Sequence, residues 1–315
     1  MVYPLDMEVD TMDYILTTDT LTKKYRKHEA LKDVSINVPK GSIFGLIGKN
    51  GAGKTTLMRI VTGLQQQNKG TFRISCPHIG ALIDTPAYYR TLNAYENLKI
   101  QYMNLGITSY ETIPEIIDLV GLDIAGKKPV ASYSFGMRQR LGLAIALCGF
   151  PDLIILDEPI NGLDPQGIVV VRELILKLNK ERGMTFIISS HLLDELAKVA
   201  TDFAFIDEGK IIKQISASEL NGDKNGKTVN VRVSDASAIC KLLDDAGLSY
   251  EIKGENELTV RGEVTLTVMN ELAAKAGCEL LEFNFVDTNL EGYFINLLEG
   301  RYVAHIEIND IPSPS

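Results

Sequence analysis

The sequence predicts an α/β fold with a buried parallel sheet, on three observations. Apolar runs occupy Ile43–Ile47 (IFGLI), Leu153–Leu156 (LIIL) and Thr185–Ser189 (TFIIS), and each gives way to polar residues at its C-terminal end. Helix-patterned stretches, LMRIVTGL and QGIVVVRELILKLNKERG, follow the first run and separate the second from the third. Strands covered on both faces read as continuous apolar runs, and ligands of open α/β sheets collect beyond the carboxyl ends of the strands. The residues at those three ends are therefore the candidates for chemistry.

The first end reads GKNGAGKTT, residues 48–56, in which Gly48, Gly53, Lys54 and Thr55 satisfy the phosphate-loop pattern G-x-x-x-x-G-K-[ST]. Glycines let the backbone wrap tightly enough for its N–H groups to converge on phosphate oxygens, and the helix that follows presents its positive end to the same anion. The candidate cradle for ATP is Gly48, Asn50, Gly51, Ala52, Gly53, Lys54, Thr55 and Thr56. Lys54 is expected to reach the β- and γ-phosphates and Thr55 to offer its hydroxyl to Mg²⁺. A Gly-rich turn capping a helix has the same local look, but an apolar strand before and a helix after are the context that phosphate binding requires.

A phosphate loop needs a second metal ligand and a water activator. At the second strand end, LIILDE places Asp157 to hold Mg²⁺ and Glu158 to polarise the attacking water. At the third, His191 stands where a γ-phosphate would lie. In isolation LIILDE is only a strand running into an acidic turn, and a lone histidine is more often structural. The phosphate loop upstream changes both readings.

Composition bounds the function. With 315 residues, 45% hydrophobic and 23% charged, the chain is long enough for a sizeable core and two domains. A net charge of −9 argues against a sequence-independent grip on nucleic acid. Cys76, Cys148, Cys240 and Cys278 are far apart and form no C-x-x-C pair, so neither a zinc site nor a disulfide framework is expected and a reducing compartment is the default. The N-terminal MVYPLDMEVDTMDY carries acids where an export signal carries bases. The most apolar region, Leu141 to Leu156, is broken by Pro151-Asp152 and falls short of the roughly 18 apolar residues of a membrane span.

Across roughly residues 14–220 the ordered set Tyr25, GKNGAGKTT, IGALID, YSFGM, LIILDEP, NGLD and His191 resembles the ATP-binding subunits of ABC transporters. The resemblance implies an inserted helical subdomain at about 86–150. It also implies that Tyr25 stacks on adenine, Asp157 serves Mg²⁺, Glu158 is the general base, His191 contacts the γ-phosphate and Asp164 communicates between two opposed sites. The family's Leu-Ser-Gly-Gly-Gln signature reads Tyr133-Ser134-Phe135-Gly136-Met137 here. Ser134 and Gly136 keep their positions before a helix, a combination that suits an anion, although a helix-capping serine looks alike. In the family that site binds the ATP held by a second subunit, which implies two chains, identical copies in the simplest case, facing head to tail.

A further departure falls where the family usually places glutamine beside Mg²⁺ and the attacking water. Alignment of IGALIDTPAYYRTLNAYENL puts Asp84 there, and its carboxylate can accept hydrogen bonds from metal-bound water. The segment LIDTPAYY with AYENL, and YSFGM, look most like the ATPases of bacterial exporters that protect against bacitracin and lantibiotics. The same stretch is where family members dock the coupling helix of their membrane subunit, which makes Tyr88, Tyr89, Tyr95 and Tyr102 candidates for that surface, with about half of them expected there and the others in the core of the helical subdomain.

Beyond a polar linker at 221–227, the order TVNVRV, DASAICKLLDDAG, LSYEIKG, ELTVRG, TLTVMNELAAKAG and CELLEFNFV reads as βαββαβ, both helices ending in glycine. TNLEGYFINLLEG then places Leu290, Phe294, Leu297 and Leu298 at helical spacing.

The expected architecture is α/β, a P-loop NTPase of ABC type with an inserted helical subdomain, plus a small C-terminal α+β ferredoxin-like domain. The ATPase domain spans 14–220, the accessory domain with its closing helix 228–300 and a tail 301–315. The expected activity is ATP hydrolysis powering a multi-spanning permease, with the chain peripheral on the cytoplasmic face of the cell membrane. Two rivals are a soluble ABC-type ATPase outside transport and an ATP-sensing module with weak turnover. Ribosomal relatives carry two cassettes per chain and DNA-repair relatives insert long coiled coils, and neither feature is seen.

Overall fold

The computed structural model describes residues 13–298, apart from 27, 123–126, 224–227, 255, 263, 286–289 and 296. The expected tail at 301–315 lies outside the described residues. Backbone contacts divide the chain into two units, residues 1–215 and 216–315.

The first unit opens with β1 (Tyr14–Tyr25), β2 (His28–Val34) and β3 (Asn37–Pro39), followed by β4 (Ile43–Ile47), α1 (Lys54–Val61), β5 (Lys69–Ile74) and β6 (Ile79–Leu82). A helical segment follows: α2 (Ala94–Asn104), α3 (Ile113–Leu119) and α4 (Phe135–Ala146). The chain then returns through β7 (Leu153–Asp157), α5 (Pro165–Arg182), β8 (Thr185–Ser189), α6 (Leu193–Ala197), β9 (Asp202–Asp207) and β10 (Lys210–Ser216).

Six strands form one sheet in the order β10-β9-β4-β8-β7-β6, with β4, β6, β7, β8 and β9 paired in parallel. Every residue of β4, β7 and β8 is buried, the signature of strands covered on both faces. α1 packs on β7, α5 on β8 and α4 on β6. Leu57, Met58 and Val61 of α1 join Phe44, Leu46, Ile155 and Ile187 in one apolar core, and this packing fixes the strand ends relative to α1.

A second, antiparallel sheet pairs β1 with β2, β3 and β5. β1 serves three partners by breaking its register near Thr20, whose φ of 47° lies in the left-handed region. Its burial pattern, iBBiBeeBBiee, follows neither strand nor helix period, so no periodic signal marks it.

α2 starts at a capping box in which the Asn93 side chain accepts from Glu96 N–H and Glu96 accepts from Asn93 N–H. Tyr102 of α2 is 1% exposed, and its hydroxyl bonds Thr112 at 2.6 Å. It is core, and the expectation that it lines a docking surface is corrected; Tyr89 and Tyr95 are exposed.

The second unit begins with α7 (Ala217–Asp223), so residues 221–223 of the expected linker are helical. β11 (Thr228–Val233), α8 (Ala236–Asp245), β12 (Ser249–Ile252), β13 (Glu257–Arg261), α9 (Leu266–Ala276) and β14 (Leu280–Phe285) follow. The sheet order is β12-β13-β11-β14 with all neighbours antiparallel. Each helix thus links two strands across an antiparallel third, the split βαβ arrangement. Asp235 and Thr265 cap the two helices at their starts, and Gly247 (φ 69°) and Gly277 (φ 71°) follow their ends. Val229, Val231, Val233, Leu258 and Val260 of the sheet pack on Ile239, Leu243 and Met269. Residues 290–295 are helical; Leu290, Phe294 and Leu298 are buried and Leu297 is half-buried.

Candidate nucleotide site

The phosphate loop runs from the end of β4 into α1, whose N-cap is Gly53 at φ 113°. Close packing demands glycine twice. A Cβ at Gly48 would lie 2.3 Å from the Ile206 carbonyl oxygen, and one at Gly53 would lie 2.7 Å from that of Ala30. The buried Lys54 ammonium curls back over the loop and donates to the carbonyls of Gly48 at 2.6 Å and Lys49 at 3.2 Å. Burial pushes its pKa below the ordinary lysine range, and the charges of Glu158 and Asp157 pull it partly back.

Around this loop lies an open cleft of about 430 Å³ lined by Tyr25, His28, Ala30, Asn50, Gly51, Gly53, Lys54, Thr55, Thr56, Asp157 and Glu158. Three of the elements expected to meet do so here: the phosphate loop, the end of β7, and Tyr25 at the end of β1. The Tyr25 hydroxyl donates to the Gln65 side-chain carbonyl at 2.5 Å, and the Lys23 ammonium stands 5.3 Å from its ring centroid. Its ring is therefore held at one edge while the residue stays 38% exposed, an arrangement suited to stacking.

The Asp157 carboxylate is buried and bonded on both oxygens. Thr55 Oγ1 donates to Oδ2 at 2.6 Å, and Ser189 Oγ donates to Oδ1 at 2.5 Å. Ser189 is opposite Asp157 in the β7–β8 register, and its Oγ also accepts from the Glu158 N–H at 3.0 Å. Glu158 has φ 50°, a left-handed backbone for a non-glycine residue; such strain persists where surrounding contacts over-determine it. Its Oε2 is 2.7 Å from His191 Nδ1 and accepts from the His191 N–H at 3.2 Å. A strained turn pinned by Ser189 and an imidazole thus sets the direction of the carboxylate.

The paired oxygens of Thr55 and Asp157 fit Mg²⁺, a hard cation held through one or two protein oxygens together with substrate phosphates and water. No group of three His, Cys, Asp or Glu side chains able to hold a metal occurs among the described residues.

Ser134, Gly136 and Asp164 do not line this cleft among the described residues. Ser134 is the N-cap of α4 and its Oγ accepts from the Met137 N–H at 3.3 Å. Asp164 is the N-cap of α5 and accepts from the Gly167 N–H at 3.0 Å. The two caps belong to one assembly: a Cβ at Gly136 would touch Leu163 at 3.4 Å, and the half-exposed Phe135 ring lies over Gly162.

Asp84, expected at the metal, does not line the cleft here; its Oδ2 accepts from Arg59 Nη2 at 2.6 Å and Nε at 3.1 Å. The turn beyond β6, where Asp84 has φ 60°, aims the carboxylate at α1. Sequence reading missed Arg59, Gln65 and Ser189, and also Gln139, a buried side chain of α4 that donates to the Pro159 carbonyl beside Glu158. For Ser189 the signal was present, as the polar end of an apolar run. For the others the partner lies in another element and no local pattern marks it.

A parallel sheet that presents a phosphate loop, an Asp-Glu pair and a histidine at adjacent strand ends defines a P-loop ATPase. A family model described as ABC transporter matches residues 31–161. The chain is 36% identical to the bacitracin transport ATP-binding protein BcrA of Bacillus licheniformis, over 93% of this chain and 100% of that protein. It is 44% identical to the lantibiotic transport ATP-binding protein SrtF of Streptococcus pyogenes, over 67% of this chain and 93% of that one. Among solved structures it is similar to cbiO1 from Clostridium perfringens, part of the ABC transporter complex cbiONQ, with a TM-score of 0.59 and 25% identity over 67% of this chain and 92% of that chain. The chain belongs to the ABC transporter family and is one of its ATP-binding proteins. It is an ATP-hydrolysing enzyme. No helix among the described residues is long and apolar enough to cross a membrane.

Proposed function

We propose that the chain powers a separate multi-spanning permease that exports peptide antibiotics or similar amphiphilic compounds, working from the cytoplasmic face of the membrane as a head-to-tail pair of identical copies. The observation that carries the catalytic part is the interlocked set Thr55–Asp157–Ser189–Glu158–His191 at the mouth of the phosphate loop. The cargo class is supported by the named transport roles of BcrA and SrtF.

In this reading Tyr25 stacks on adenine, and the cradle from Gly48 to Thr56 holds the phosphates. Thr55 and Asp157 would hold Mg²⁺, which when bound would supply neutralisation of phosphate charge. Glu158 accepts the proton of the attacking water, and His191 orients that carboxylate and faces the γ-phosphate. Positioning and charge neutralisation then supply most of the catalysis, the general pattern of phosphoryl transfer. Ser134, Gly136 and Asp164 stand outside their own chain's cleft and act on the nucleotide of the second copy. The C-terminal unit serves as an accessory domain.

The test is to purify the tagged full chain from detergent-solubilised membranes of its host and identify what accompanies it. A multi-spanning membrane protein in near-equal amount is expected, and deletion of the gene should sensitise cells to bacitracin or a lantibiotic. Ribosomal or DNA-repair proteins in its place would overturn the transport reading.

A further inference from the structure

Three carboxylates gather at neighbouring strand ends. Leu82 of β6 is paired with Leu156 of β7, so Asp84 stands in the turn past one strand end and Asp157 and Glu158 at the end of the neighbouring strand. A triphosphate brought to this cleft meets Asp157 and Glu158 in its lining, with Asp84 one strand end away, so the way each is held matters for binding. Asp157 is held by the neutral hydroxyls of Thr55 and Ser189, and Glu158 by the His191 imidazole. Lys54 donates to backbone carbonyls. Among the described residues, Asp84 alone of the three is met by a guanidinium, and both Arg59 donors converge on its Oδ2.

Arg59 stands on α1, whose first turn carries Lys54 and Thr55. Its pKa is raised, chiefly by the Asp84 hydrogen bond against the opposing effect of burial, with smaller contributions from Tyr25 and Asp157. Its backbone carbonyl accepts from Gln65 N–H at 3.0 Å, and Gln65 holds the Tyr25 hydroxyl. The Arg59 backbone is thus tied to the residue that holds Tyr25, while its guanidinium pairs with Asp84.

We infer that Arg59 is a positioning residue that turns the Asp84 carboxylate toward α1 and neutralises it, so that the acid does not repel the nucleotide phosphates. This rests on the nucleotide-site reading above. Without Arg59 the Asp84 carboxylate is free to swing toward the cleft and adds an uncompensated negative charge there. The penalty grows with the number of phosphates and shrinks with salt, because exposed charges are screened over about 10 Å at 0.1 M and 3 Å at 1 M ionic strength.

The experiment measures metal-free binding of ATP, ADP and AMP to the full chain in EDTA, by displacement of a fluorescent ADP analogue at low and high salt. Variants are Arg59→Met, Asp84→Asn and the double substitution. Arg59→Met is expected to weaken ATP roughly fivefold at low salt, ADP less and AMP least, as an exposed ion pair predicts. Asp84→Asn should tighten ATP binding, and the double variant should return to within about twofold of wild type. A double variant as weak as Arg59→Met, or an Arg59→Met defect unaffected by salt, overturns the inference; so does an Asp84→Asn variant that binds ATP as wild type does. Failure of the wild-type chain to bind any nucleotide would instead overturn the site reading, and this inference with it.

Discussion

The two sheets that anchor the two units use their residues in opposite ways. In the first unit β4, β7 and β8 are buried along their whole length, so no face is left for chemistry and the polar residues collect at the strand ends. In the second unit one face, with Val229, Val231 and Val233, packs on α8 and α9. The other carries Asn230, Arg232 and Glu282, the last two paired as an ion pair. A sheet covered on both sides concentrates function at its edge of termination, whereas a sheet covered on one side spreads polar groups over an area. The first arrangement fixes a few atoms to within a hydrogen bond; the second offers a surface.

Substitutions at strand ends should therefore abolish activity while leaving the fold intact, and substitutions in the second unit should do the reverse. The largest effect is expected from Glu158→Gln, which should lower ATP turnover by roughly 100-fold or more, as loss of a general base does. Nucleotide binding should persist, and turnover within tenfold of wild type would remove Glu158 from its role. Gly48→Ala comes next. Its Cβ would lie 2.3 Å from the Ile206 carbonyl oxygen, so ATP binding should be lost in an equilibrium assay. Gly247→Ala in the second unit, at φ 69° with open space around it, should cost only about 1 kcal/mol of stability and leave ATP affinity unchanged.

Leu243→Ala empties part of the second unit's core, where Leu243 is fully buried. A loss of about 3 kcal/mol is expected, seen as an earlier transition in denaturant with ATP binding retained. Loss of ATP binding in that variant would show that the two units are not separable in this sense. The smallest effect concerns pH. Lys54 binds phosphate as the ammonium, and burial lowers its pKa. Nucleotide affinity should therefore fall as pH rises through a value below that of an ordinary lysine, and a fall seen only above the ordinary lysine range would contradict the assignment.

How much of this was legible depended on the range over which each signal acts. The phosphate loop, LIILDE and the βαββαβ order of the second unit were readable because turn chemistry, apolar runs and helix caps are local. The antiparallel sheet around β1 was not, since its 12 residues split among three partners and show no single period. Tyr102 was readable as either surface or core because tyrosine suits both places; burial against the helical segment, with Thr112 to satisfy its hydroxyl, decided for the core. Asp84 was placed at the metal by the family resemblance alone; the left-handed turn that carries it and the guanidinium from α1 that it meets have no local signal.

By itself the sequence determined the chemistry available: a phosphate cradle, an Asp-Glu pair, a histidine and a serine-capped helix, each encoded within a few adjacent residues. The tertiary structure alone decided which of these share a site. Thr55 reaches Asp157 across 102 positions and Ser189 reaches it across 32, and those distances close only because the buried parallel sheet brings its strand ends into one row. It also decided that Ser134 and Asp164 stand outside their own chain's cleft, because each is committed as the cap of a helix whose packing holds it elsewhere.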